Sequence, residues 1–359
     1  MMSPEVFIFL PRSPCEGFFA FLNAVSRCPK VILGTKTLMA RNEYNEVGQL
    51  KAKKLHSIDQ GSTFGQGISY TYNERGWLRT STAPLFTQEL VYNTGTTKQY
   101  NGNIAYQNFS RKYTASATAT GAYSYTYDKL DRLLTGTLAG NIGKEELTYD
   151  QIGNIKTLKR TGTTTAYEDD MNYVYNAKGQ LQTVTDASTS TNTAYQPTGV
   201  TTYTYDANGN QLTRVKSGGT ANITATTYNS LNLPQSVTVG GVTTTYSYDA
   251  RGRKLRSVNA VNAQTRDYID GIEYAGTTVD FVQMEEGRIV NKGNNDYGYE
   301  YFLRDHLGNT RSGFRGDAPS TPTFGADYYA FGMQVQKNLV ADNPKNSYLY
   351  NGKETVYGS

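Results

Sequence analysis

The sequence predicts an all-β protein assembled from tandem β-hairpins. Composition and a repeated tetrapeptide carry that prediction. The 359 residues include 30 Tyr against 13 Phe and one Trp, with 35 Gly. Apolar residues make up 37% and charged residues 18%, both below the usual globular averages. A core of Leu, Ile and Val would be thin, so Tyr must supply the missing buried area, and its hydroxyl needs a partner or water. Frequent Thr and Gly point to short strands and tight turns.

The tetrapeptide is Tyr-x-Tyr-Asp/Asn. It occurs at Tyr70–Asn73, Tyr125–Asp128, Tyr173–Asn176, Tyr203–Asp206, Tyr246–Asp249 and Tyr348–Asn351. With Asp or Asn at about one position in eight, chance would give about 0.3 such matches. Looser copies stand at Tyr44-Asn45, Tyr149-Asp150 and Tyr228-Asn229, and a divergent one lies around Tyr92-Asn93 and Tyr100 to Ile104. Units start every 20 to 30 residues or so, with one longer gap between Tyr72 and Tyr127.

Each position of the unit has a physical reason. Two Tyr separated by one residue, as in Tyr70/Tyr72, Tyr125/Tyr127, Tyr173/Tyr175, Tyr203/Tyr205 and Tyr246/Tyr248, share one face of a strand. The adjoining Asp128, Asp150, Asp206 or Asp249 can bond the backbone ahead and open a turn. Gly76, Gly153, Gly179, Gly209 and Gly252 stand three residues after the Asp or Asn and supply a positive φ without steric cost. In Tyr205 to Leu212 and Tyr248 to Leu255, Leu is then expected to begin the return strand on the buried face. A single hairpin is marginal alone, so successive hairpins are expected to pair edge to edge into a ribbon. Nine or so hairpins give about eighteen strands and a ribbon on the order of 85 Å at ~4.8 Å per strand. A wall around a domain of about 120 residues needs a circumference above roughly 125 Å. The expectation is an incomplete shell.

Three segments are expected. Residues 1–30 match neither the composition nor the rhythm of the rest of the chain; 31–298 form the repeat array; 299–359 carry a different set of motifs. Cys15 and Cys28, the only cysteines, both fall in the first segment, which leaves open one disulfide or two free thiols. With His56 and His306 far apart, no zinc-ligand spacing exists. Val6 to Leu10 is apolar but lacks a positive n-region, and Pro11, Arg12 and Pro14 come directly after it, so no export signal is expected. No apolar run approaches the length of a membrane span. A net charge of +4, with Lys and Arg spread along the chain, gives no nucleic-acid footprint.

Tandem Tyr-Asp-x-x-Gly-x-Leu units resemble the YD repeats of Rhs and related polymorphic-toxin proteins and of the teneurin shells. The resemblance covers about residues 31–354. Tyr301 to Arg311, with Asp305, His306, Leu307, Gly308, Asn309 and Arg311, looks like the opening of the Rhs-associated core. Tyr328 to Met333, with Tyr329, Phe331 and Gly332, resembles the family's next element, Tyr-x-Pro-Phe-Gly, Ala330 standing where Pro is usual. Tyr348 to Glu354, with Tyr350, Asn351, Gly352 and Lys353, resembles the one after it. The wording, with Asn101 to Ile104 and Glu285 to Arg288, looks most like Bacteroidetes versions. The resemblance implies a secreted or cell-surface wall that encapsulates and delivers a C-terminal toxin, its partner in an intact homologue. The family's later Arg-Tyr-Tyr-Asp-Pro segment, its cleavage region and the toxin are not in these residues, so a truncated core is expected.

Enzymatic constellations are weak, and neither a catalytic residue nor a cofactor is expected. Asp305-His306 needs a nucleophile or metal that the sequence does not show, and a turn closed by Gly308 and Asn309 is the better reading. Asp206 to Asn210 superficially looks like a calcium loop, but its Gly comes too early and no Glu holds the twelfth position. Asp280, Glu285 and Glu286 could form a glycosidase pair, yet acids beside Gly287 fit a solvated hairpin tip better. The tyrosine rows could stack sugars, which makes a module that binds carbohydrate or a cell surface the alternative to a shell segment.

Overall fold

The computed structural model describes residues 29–32, 35–140, 143–162, 164–189, 198–261, 264–294, 296–335 and 348. Nearly all of the N-terminal segment, with Cys15 and Cys28, lies outside the described residues, as do Tyr350, Asn351, Gly352 and Lys353. The described residues form 28 β-strands and no helix. Most consecutive strands pair in antiparallel fashion, as Thr35–Tyr44 does with Leu50–Ser57 and Thr310–Arg315 with Ala318–Gly325. The fold is the predicted all-β array of tandem hairpins.

Alternation along a strand builds each hairpin. In Gln66–Tyr72 the side chains run buried, exposed, buried, exposed before Tyr70 and Tyr72, which are half-buried on either side of exposed Thr71. The middle residue, exposed in every copy but the half-buried Thr126, bonds the hydroxyl opposite it: Thr71 to Thr80, Thr126 to Thr135, Thr148 to Thr157, Thr204 to Thr213 and Thr227 to Ser236, all at 2.6–2.7 Å. Cross-strand Thr pairs of this kind stabilise a solvated sheet face.

The register slips at the second Tyr of each unit. Tyr205 pairs with Gln211 but Thr204 with Thr213, and Tyr248 pairs with Lys254 but Ser247 with Arg256. One residue of the return strand is therefore extra, a bulge coupled to the left-handed Gly of the turn. This corrects the expectation for Leu in those copies. Leu212 and Leu255 are the extra residues, and Leu255 is 41% exposed.

The chain divides into two compact units. Among the described residues the first takes those from 29 to 122 and from 284 to 326; the second takes those from 123 to 283 and from 327 to 335. In the second, Leu147, Leu158, Met171 and Val184 form an apolar stripe with one residue on each of four successive strands. In the first, Leu55, Phe86, Ile289, Tyr301, Leu303 and Phe314 are fully buried, and the rings of Tyr301 and Phe314 stack at 5.2 Å.

The expected eighteen strands were too few. Beyond residue 264 most hairpins, the Asp305 turn excepted, close through shorter turns without the Tyr-Asp signature, as where Asp270 and Gly271 (φ 46° and 85°) link Thr265–Ile269 to Ile272–Ala275. Two consecutive positive φ values make a turn whose twist matches the strands. Only the strand number is corrected, to 28 among the described residues.

Candidate functional site

Nine copies of the repeated turn among the described residues are built the same way. Asn45, Asn73, Asp128, Asp150, Asn176, Asp206, Asn229, Asp249 and Asp305 each offer Oδ1 to two backbone N–H groups. The residue two ahead donates at 2.9–3.2 Å and the residue four ahead at 2.8–3.0 Å. The residue three ahead takes positive φ. It is Gly at 76, 153, 179, 209 and 252, while Asp131 and Asn232 adopt φ of 62° and 57° without that freedom. The Asn210 amide and backbone N–H groups hold the Asp206 carboxyl below the usual carboxylate range, as the Arg253 side chain and backbone N–H groups do for Asp249; at Asp128 and Asp150 burial opposes the lowering, backbone N–H donors overcome it, and Arg132 and Asn154 add to them.

The position four ahead is matched in chemistry. Where the turn opens with Asn, its Nδ2 donates to a Gln oxygen: Asn45 to Gln49 and Asn176 to Gln180. Where it opens with Asp, the partner is a donor: Arg132, Asn154, Asn210, Arg253 and Asn309. Trp77 and Leu233 are the apolar exceptions.

The second tyrosine joins one hairpin to the next. Its hydroxyl donates to the carbonyl of the residue that opens the preceding return strand. The pairs are Tyr72 to Leu50, Tyr92 to Leu78, Tyr149 to Leu133, Tyr175 to Ile155, Tyr205 to Leu181, Tyr228 to Gln211 and Tyr248 to Pro234, at 2.6–2.9 Å. Tyr127 holds the second-tyrosine place and Tyr246 the first of its copy, and both are half-buried. The first tyrosines pack: Tyr125 is buried against Tyr123, while Tyr70, Tyr173 and Tyr203 are half-buried. Burial pushes the phenols of Tyr70 and Tyr173 up to about 12. The rows that a sugar-binding reading would use are thus largely engaged in the wall itself.

Asp305 and His306 form one more turn of the repeat. Both Asp305 oxygens are engaged: Oδ1 by the N–H groups of Leu307 and Asn309, Oδ2 by the Asn309 amide with the Arg311 guanidinium at 3.6 Å. His306 Nδ1 lies 3.4 Å from Gln88, and burial lowers its pKa. Leu307 is half exposed and Gly308 takes φ 82°. Arg311 is buried, donates to the Ala326 carbonyl and lies over the rings of Phe86 and Phe109.

The element Tyr328 to Met333 repeats the backbone turn with Tyr329 in place of Asp. Tyr329 N–H bonds the Met333 carbonyl, Gly332 N–H bonds the Tyr329 carbonyl, and Gly332 takes φ 89°. Tyr329 is buried and donates its hydroxyl to the Thr161 carbonyl at 2.7 Å, while the Phe331 N–H donates to Glu145 Oε2. Below the ring Arg160 pairs with Glu145 and Asp169 at 2.8 and 3.2 Å, both acids being fully buried. Phe331 itself is 43% exposed.

Buried ion pairs also order the first unit. Arg288 and Glu300 face each other across a strand pair at 2.7 Å, and Glu286 pairs with Lys53. Glu286 is therefore no solvated tip. It is 8% exposed, while Glu285 is exposed. Asp280 pairs with Arg266 at 3.1 Å within the second unit. Among the described residues no group of three or more His, Cys, Asp or Glu could hold a metal, and no helix is long and apolar enough to cross a membrane.

A family model described as Teneurin YD-shell matches residues 43–266. The chain belongs to the Teneurin YD-shell family. Two solved structures share its fold: a crystal structure of TcdB2-TccC3-TEV (TM-score 0.57, 17% identity) and a mutant Tc holotoxin pore of Photorhabdus luminescens (TM-score 0.56, 16% identity). Each likeness covers 89% of this chain and 18% of the other, so the chain spans about a fifth of those proteins. No curated protein matches.

For a YD-shell chain, the sequence reading explained Tyr, Asp and Gly but missed two positions. The residue four after Asp or Asn was readable, because Gln accompanies Asn and Arg or Asn accompanies Asp. The carbonyl that receives each tyrosine hydroxyl left no side-chain signal, since Leu, Ile, Gln and Pro all serve.

Proposed function

We propose that the chain is a wall segment of an Rhs-type shell that, in the intact protein, encloses and delivers a C-terminal toxin outside the producing cell. Residues 31–298 are the repeat wall in this reading, and 299–359 begin the associated core. The observation that carries it is the tyrosine bond between consecutive hairpins. In seven copies it fixes a hairpin to its predecessor, as a container wall requires. A scaffold role also suits turn carboxylates that are already committed to backbone N–H groups. One of the fold relatives is a Tc holotoxin pore, which agrees with a toxin partner. The test is to read the coding sequence beyond residue 359, express it with this chain, and digest with proteinase K. The downstream domain should survive while attached and vanish when expressed alone. Equal digestion rates in both settings would contradict encapsulation.

A further inference from the structure

The junction between strands Gln211–Lys216 and Ile223–Tyr228 is unusual among the repeats. It has one registered pair, Arg214 with Ile223. The connecting residues 217–222 are held by Asn222, whose Nδ2 donates to the carbonyls of Lys216 and Gly219 and whose Oδ1 accepts from the Lys216 N–H at 2.7 Å. Beside this loop lies a cavity of about 440 Å³ within the second unit, a size that suits a small ligand.

Its wall mixes apolar and cationic groups. Met171, Tyr173 and Tyr203 supply thioether and aromatic surface, and Arg160, Arg214 and Lys216 supply cations. Two of the wall's charges are already answered. Arg160 is held by Glu145 and Asp169. Asp186, the one carboxylate among the lining residues, accepts the N–H groups of Asp170 and Ser188 and the Ser188 hydroxyl. Arg214 bonds the Ala221 carbonyl at 3.2 Å. The Lys216 ammonium has no hydrogen-bond partner although its nitrogen is shielded from solvent. Burial lowers its pKa, against the pull of Asp186. A charged group in that state is costly, and the flexible lysine stem can turn to any acceptor that enters the cavity.

We propose that this cavity binds a carboxylate carried on an apolar body, with Lys216 and Arg214 on the carboxylate and Tyr173, Tyr203 and Met171 against the body. Two cations match one carboxylate, and the guanidinium can take it side-on. The Asp186 charge in the wall disfavours a dianion such as phosphate. The same chemistry is offered by a free small carboxylate and by a glutamate side chain of a polypeptide.

The experiment uses the full chain and calorimetry with four probes: 4-phenylbutyrate, its neutral amide, a blocked Leu-Glu-Leu peptide, and inorganic phosphate. Either carboxylate probe should bind, the amide should not, and saturating probe should slow modification of Lys216 by an amine-reactive ester, read by peptide mass mapping. Tighter binding of the peptide assigns a polypeptide source, and tighter binding of phenylbutyrate a free one. Lys216→Met and Arg214→Met should each weaken binding about tenfold, or ~1.4 kcal/mol, with the thermal midpoint kept. Should Lys216→Met fail to fold, protection of Lys216 in the unaltered chain decides. The proposal falls if neither carboxylate binds, if the amide or inorganic phosphate binds as well, or if Lys216 reacts equally fast with saturating probe present.

Discussion

Two regions of the molecule satisfy their polar groups in opposite ways. In the repeat strands Gly199–Tyr205 and Gln211–Lys216 no residue is buried. Their order comes from short-range bonds: the Asp206 turn and the Tyr205 hydroxyl on Leu181. In Thr310–Arg315 five of six residues are buried, and the neighbouring strands are held by the Arg288–Glu300 and Lys53–Glu286 pairs. The YD repeat is thus foremost a device for register, and the densest packing lies where the repeat signature fades. A long sheet needs the first because a one-residue slip turns every side chain to the other face.

Four substitutions or titrations probe that contrast. Arg288→Met should be the most damaging, because it takes the guanidinium from the buried Glu300 carboxylate and leaves the neutral Thr323 hydroxyl on its other oxygen. Loss of one partner of a buried pair costs about 3–5 kcal/mol, readable as a fall in the urea midpoint. A repeat substitution of equal cost would erase the contrast.

Raising pH should come next. The folded phenols of Tyr70 and Tyr173 titrate near 12, above the ordinary value near 10. Between those values the unfolded chain has lost protons that the folded chain keeps, so stability falls as pH rises. A late part of the tyrosinate absorbance should therefore appear together with unfolding between pH 10 and 12; early, reversible titration of all 30 tyrosines would count against the packing of Tyr70 and Tyr173.

Tyr228→Phe should cost about 1 kcal/mol, the usual net value of one hydrogen bond. It is the sharpest repeat variant, since its hydroxyl spans the junction with a single registered pair.

The smallest effect is expected of Asp206→Asn. Asn holds the same turn at positions 45, 73, 176 and 229, and Asn210 can turn its amide oxygen to the new Nδ2 at the expense of its bond to Asn232, so the loss at neutral pH should be smaller than that of Tyr228→Phe. The Asp206 carboxyl is held below the ordinary range; its contribution is present above about 4 and lost as pH falls through the folded value. The variant should lose less stability on acidification than the parent, in melts from pH 5 to 2.

Much of the wall was legible in the sequence, because the repeat writes its geometry in side chains. Tyr for the face, Asp or Asn for the turn and Gly for the left-handed residue each have a local cause. The hairpins beyond residue 264 were less legible, since turns such as Asp270-Gly271 are common pairs with no period. The buried charges were the least legible. Glu286 and Lys53, or Arg160 and Tyr329, lie far apart in sequence, and only folding brings each pair together. Leu255 shows a local limit too, as the bulge that exposes it depends on pairing with the opposite strand.

Amide hydrogen exchange on Tyr228→Phe tests the register claim most directly. The account predicts faster exchange in strands Gln211–Lys216 and Ile223–Tyr228, with Gly287–Gly293 and Thr310–Arg315 unchanged. Exchange that stays the same at that junction, or rises uniformly along the chain, would contradict the tyrosine hydroxyl as the bond that fixes one hairpin to the next.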